Sequence, residues 1–122
     1  MKIRLFENNI RLRLTQAEVQ SLAQGIAVQA STRFFSGELQ TQVQVSSAAR
    51  DVSATILDGG RIQVDLPAAD VARWAYSSEE EGLYGSNGVT NVAVEKDYAC
   101  LHQTGAVNEG TFPNPSAGVK MD

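Results

Sequence analysis

Four basic side chains alternate with apolar ones in the first thirteen residues: Lys2 and Arg4 flank Ile3, and Arg11 and Arg13 flank Leu12. In paired strands, alternate residues share a face, and cross-strand neighbours on that face stand about 5 Å apart. Cations held that close repel one another unless an anion balances them. Arginine also offers a planar fork that grips phosphate or carboxylate with two parallel hydrogen bonds. The spacing therefore points to a site for an anionic small molecule or an acidic partner segment, lined by Lys2, Arg4, Arg11 and Arg13. The plainer reading is a solvated strand face balanced by Glu7, Asp51 or Asp65.

A second constellation is Asp97-Tyr-Ala-Cys100-Leu-His102, which holds the only cysteine and the only histidine of the chain. In a strand, residues two apart point the same way, so Cys100 and His102 could share one metal with Asp97. The same pair could make an imidazole-activated thiolate. Zinc normally asks for four ligands. Only Asp97 and Glu109 are at hand to add oxygens, and a lone cysteine is usually a small buried hydrophobe. Glu79-Glu80-Glu81 clusters carboxylates without the spacing of a calcium loop, so it reads as a solvated charge run. No GxGxxG, GxxxxGK[ST], GxSxG, HExxH or DxDxDG pattern occurs. Each of those patterns carries a specific chemistry, so their absence favours binding over catalysis.

The whole chain limits the options further. Its 122 residues suit a single domain over 1–122, large enough to bury a core without disulfides or metal. The net charge of −4 argues against nucleic acid and against a polybasic membrane surface. No apolar run approaches membrane-spanning length, and no secretory h-region opens the chain. One cysteine suits a reducing compartment, so the expected location is cytoplasmic.

The elements that must position these residues follow from periodicity. Residues 2–6 and 10–14 alternate and form a hairpin. Thr15-Gln-Ala-Glu18 is a capping box opening a helix that stops at Gly25. A mixed β-leaning stretch covers 26–35, and Leu39–Val45 alternates strictly with glutamines. Strands from Val52 and over 61–66 flank the turn Asp58-Gly59-Gly60. Pro67 opens a second helix to about Tyr76, with a short strand near 83–84 and a long strand over 89–101. An irregular tail from 104 to 122 follows, pinned by Phe112.

Two stretches repeat one another. Ile10–Ala23 and Ile62–Ala75, offset by 52, share Ile10/Ile62, Leu14/Leu66, Ala17/Ala69, Val19/Val71 and Ala23/Ala75, with Leu22 matched by Trp74. Each copy alternates with period two and then switches to helical spacing at the same place. An internal repeat fixes architecture before other signals do. The predicted fold is α+β: a duplicated ββαββ unit, about 1–51 and 52–103, giving about eight mainly antiparallel strands and two helices. Eight such strands suit a barrel-like or strongly curved sheet, with the arginines facing its concavity.

Met1-Lys-Ile-Arg-Leu5 with Ile10-Arg-Leu-Arg-Leu-Thr-Gln-Ala-Glu-Val19, and Glu95-Lys-Asp-Tyr-Ala-Cys-Leu-His102 with Phe112-Pro-Asn-Pro115, resemble a family of small bacterial proteins of unknown function. The resemblance covers nearly the whole chain, implies a bacterial cytosolic protein and hands over no activity. The strand-and-helix plan is also similar to the triphosphate-tunnel (CYTH-like) barrel, as fold analogy only. Enzymes of that fold carry an E-x-E-x-K strand, where this chain has Lys2-Ile3-Arg4. The leading expectation is a non-catalytic protein holding an anionic ligand on a basic sheet face. The alternatives are a metal protein or enzyme centred on Asp97, Cys100 and His102, and a homodimer joined through an uncovered strand edge.

Overall fold

The structure, a computed structural model, describes residues 1–99 and 109–114. Strands β1 (Lys2–Phe6) and β2 (Asn9–Leu14) form the first hairpin. The positive φ of its turn falls on Glu7, at 51°, rather than on either asparagine. Helix α1 (Gln16–Ala23) starts on the predicted capping box. The Thr15 hydroxyl accepts from the Glu18 amide at 3.3 Å, and the Glu18 carboxylate accepts from the Thr15 amide at 2.9 Å. It ends at Gly25, whose φ of +79° lets the amides of Gly25 and Ile26 reach back to Leu22 and Ser21.

Strands β3 (Val28–Phe34) and β4 (Gly37–Ser46) form a second hairpin, and β5 (Ser53–Leu57) and β6 (Arg61–Pro67) a third. Helix α2 (Ala68–Tyr76) follows Pro67, which caps it without a side-chain bond. Strands β7 (Gly82–Ser86) and β8 (Asn91–Lys96) close the order. Strand β8 is shorter than the stretch 89–101 read from the sequence, because beyond Lys96 the backbone leaves the ladder and meets residues 109–114 instead.

The barrel expectation does not hold. The strands form two four-stranded sheets, ordered β1-β2-β8-β7 and β3-β4-β6-β5. The first hairpin pairs with the last and the second with the third, through the parallel contacts β2–β8 and β4–β6. The other four pairings are antiparallel. The sheets come close without a ladder where Gly85 of β7 meets the chain before β5. A Cβ on Gly85 would lie 2.0 Å from the Val52 carbonyl oxygen, so only glycine allows that approach.

Apolar residues face inward. Ile10, Leu12 and Leu14 of β2 join Val92 and Val94 of β8, Val43 of β4, and Val64 and Leu66 of β6 in one core with Val19, Leu22, Val71 and Trp74 of the helices. The helices pack on each other, and α2 also rests on β4, β6 and β7. Leu5, at the turn end of β1, lies beyond the core and is exposed.

The repeat is visible in part. Both halves run strand, strand, helix, strand, strand. Ile10 lies beside Val92 and Leu12 beside Val94, while Ile62 lies beside Thr41 and Val64 beside Val43. The halves differ in their first turns, two residues against three, and in their helix caps.

Candidate functional site

The outward face of the first sheet reads as three rows of four across β1, β2, β8 and β7. Nearest the turns stand Phe6, Asn9, Asn91 and Ser86. In the middle row stand Arg4, Arg11, Ala93 and Tyr84. The third row is Lys2, Arg13, Glu95 and Gly82. Strand alternation thus gathers all four predicted basic residues on one face, with Arg4 opposite Arg11 and Lys2 opposite Arg13.

The face is the outer one, turned away from the core rather than into a barrel interior, and Arg4 and Arg11 line a groove on it. Burying four arginine or lysine heads inside a small protein would cost more than facing them to water, and the inward positions are taken by aliphatic side chains. Their counter-charges also differ from those expected. Lys2 Nζ pairs with Asp97 at 2.7 Å, and Arg11 Nε pairs with Glu95 at 3.1 Å. Asp65 belongs to the other sheet and accepts from Gln44 at 2.7 Å and Gln63 at 3.3 Å.

Arg4 and Arg13 are exposed, and no hydrogen bond or ion pair joins either to another described residue. Among the described residues, two carboxylates therefore pair with the four cations of this face. Arg11 meets Glu95 through its Nε, and its side chain remains about half exposed.

Tyr84 belongs to the site without any motif to mark it; the only sequence signal is a strand, Gly82-Leu-Tyr-Gly85, with one aromatic on its outward side. Its hydroxyl donates to Glu95 at 2.9 Å. The ring is exposed while the hydroxyl end lies over the sheet. Burial of that end, followed by the Glu95 carboxylate, pushes the phenol up to about 12. Tyr84 is thus a protonated donor at neutral pH. Gly82 makes the contact possible, since a Cβ there would stand 2.8 Å from Glu95 Cγ and 3.0 Å from the Tyr84 hydroxyl. Between these side chains a groove of about 370 Å³ opens over Ala93, bounded by Arg4, Phe6, Asn9, Arg11, Tyr84 and Asn91.

The second constellation is only partly described. Asp97 is buried, tied to Lys2, with its amide on the Leu14 carbonyl and its own carbonyl accepting from Phe112. Cys100 and His102 lie outside the described residues. Among the described residues no group of three His, Cys, Asp or Glu side chains is placed to hold a metal. Glu79-Glu80-Glu81 does not converge: Glu80 pairs with Arg73 at 3.0 Å, and the Glu81 carbonyl accepts from the Trp74 indole at 3.1 Å.

Phe112 pins its segment as expected. Its ring and that of Trp74 flank Lys96 Nζ at 5.6 and 5.9 Å, and the Gly110 carbonyl accepts the first amide of α1. Burial lowers the Lys96 pKa.

A family model described as a family of unknown function, DUF7009, matches residues 1–116, and the chain belongs to that family. No curated protein and no solved structure matches the chain, so the likeness to the triphosphate-tunnel fold finds no support there. Among the described residues no helix is long and apolar enough to cross a membrane.

Proposed function

We propose that this protein is a non-catalytic binding protein that holds an anionic small molecule on the outer face of its first sheet. The observation that carries this reading is Arg4. Its guanidinium is exposed in the groove, lies directly across from Arg11, and is joined to no carboxylate among the described residues. An oxyanion placed there receives charge-assisted hydrogen bonds from two forks, and such bonds are about twice as strong as neutral ones. Glu95 and Tyr84 hold Arg11 in position rather than competing for the ligand. Isothermal titration with pyrophosphate tests it. The full-length protein is expected to bind, and Arg4→Gln to weaken binding about tenfold, the size of one charge-assisted hydrogen bond. Absence of pyrophosphate binding, or binding indifferent to Arg4→Gln, refutes the reading.

A second reading, a homodimer, is favoured by the β5 edge. Ser53-Ala-Thr-Ile-Leu57 carries no charge, and Ile56 is exposed on an outermost strand whose far side pairs with no described strand. A single monomeric boundary in sedimentation of a concentrated sample disposes of it. The matched register of the two parallel strand pairs supports an origin by tandem copying of one ββαββ unit within a single domain. The single cysteine suits a cytoplasmic setting.

A further inference from the structure

We propose that the anion held on this face is carried by a flat unsaturated ring, and that Ala93 is the residue that admits it. This rests on the anion-site reading above and adds the class of ligand.

The hollow over Ala93 has a specific cause. Ala93 sits in the middle row between Arg11 and Tyr84, on one of the two central strands of the sheet. Both neighbours reach out of that row into the next, to the same carboxylate. Arg11 Nε lies 3.1 Å from Glu95 Oε1, and the Tyr84 hydroxyl lies 2.9 Å from Glu95 Oε2. Glu95, itself buried, draws the two long side chains aside and leaves a methyl group as the floor. Gly82 keeps the fourth position of the Glu95 row empty so that Tyr84 can lean there.

The walls then decide what fits. Phe6 and Tyr84 are both exposed aromatics, on the two edge strands of the sheet. Three strand spacings separate those edges, about 14 Å. Asn9 and Asn91, hydrogen-bonded to each other at 3.0 Å, close the turn end with amide groups. A groove of about 370 Å³ falls in the lower part of the range for small-molecule sites, roughly 300–1,000 Å³. A bare inorganic anion would use Arg4 and Arg11 and leave the aromatic walls and the methyl floor idle. A ring bearing the anion uses all of them, with its face on Ala93, its edge to Tyr84 and its charge on the guanidinium pair. The opposite sheet shows the contrast, because the position matching Ala93 there is Gln42, long enough to fill such a hollow.

Titration calorimetry of the full-length protein with phenyl phosphate and with methyl phosphate provides the test, since the two carry the same anion and differ in the ring. Phenyl phosphate is expected to bind about tenfold tighter, the size of one aromatic stacking contact. Ala93→Leu should fill the floor and abolish that preference, while leaving methyl phosphate affinity unchanged. Tyr84→Leu should also abolish it, which keeps the test usable if Ala93→Leu folds poorly. Equal wild-type affinities, or an equal loss for both probes in Ala93→Leu, overturn the ring and leave the anion site standing. Failure of both probes to bind, or binding untouched by Arg4→Gln, overturns the anion site and the ring together.

Discussion

On the outer face of the first sheet the β2–β8 pair presents Arg11, Arg13 and Glu95. On the outer face of the second, the matching β6–β4 pair presents Gln63, Asp65 and Gln44. The inner faces at the same places are close to interchangeable: Leu12 beside Val94 in one sheet, Val64 beside Val43 in the other, all fully buried. Where the first sheet sets Tyr84 beside Ala93, the second sets Gln29 beside Gln42. On the second face Asp65 accepts from two glutamines and Arg61 donates to Gln40 at 3.2 Å, while Arg33, on the same face, has no hydrogen bond or ion pair with another described residue. The first face leaves two arginines without a described partner. Packing constrains the inner positions of both sheets in the same way, whereas a solvent-facing position is free to serve a ligand. The difference between the faces is therefore where function is to be sought.

The comparison can be broken at its shared half. If both halves of the chain feed one core, α2 must be as deeply seated as its contacts suggest. Trp74, fully buried with its indole donating to the Glu81 carbonyl, should lose about 3–5 kcal/mol on Trp74→Ala. A loss under about 1 kcal/mol in denaturant melts would show that α2 does not share that core.

A smaller effect of opposite sign tests the register. Thr41 takes the position that Val92 takes in the other sheet, and its buried hydroxyl has no hydrogen-bond partner among the described residues. Thr41→Val should stabilise the protein by about 1 kcal/mol, because an orphan hydroxyl is replaced by a methyl of the same shape. A destabilised Thr41→Val, read by chemical denaturation, would mean that the hydroxyl has a partner and the two positions are not equivalent.

The smallest effect separates the outer faces by pH. The Tyr84 phenol is raised from 10.0 unfolded to about 12 folded. Between those values the native state keeps a proton that the unfolded state has lost. The stabilisation is complete below pH 10 and vanishes as pH climbs to about 12. Tyr84→Phe should flatten part of that alkaline decline, and Gln29→Ala, its counterpart on the other sheet, should not. Denaturant midpoints measured across this range, with phenolate absorbance alongside, check both variants. An alkaline decline identical in Tyr84→Phe and the parent would remove Tyr84 from the Glu95 contact.

Much of the fold was legible beforehand because its signals are local. Alternation in 2–6 and 10–14 marked the first hairpin, Thr15 and Glu18 marked the start of α1, and Gly25 its end. The same alternation put Lys2, Arg4, Arg11 and Arg13 on one face. The partners of that face were not legible. Glu95 and Tyr84 reach Arg11 only through the parallel β2–β8 contact, which joins residues more than eighty positions apart. Hairpin signals report neighbours in sequence and carry no information about which hairpins then associate. For that reason a barrel was expected where two sheets formed.

By itself, the sequence of this protein determined the elements, their buried sides and the repeat, since periodicity, capping and turn residues act over a few positions. Tertiary structure alone decided that hairpin one joins hairpin four. It also decided that the basic side chains face outward, and that Glu95 draws two of its neighbours off Ala93. Those outcomes depend on the pairing of distant strands, and only the burial of a common core selects that pairing.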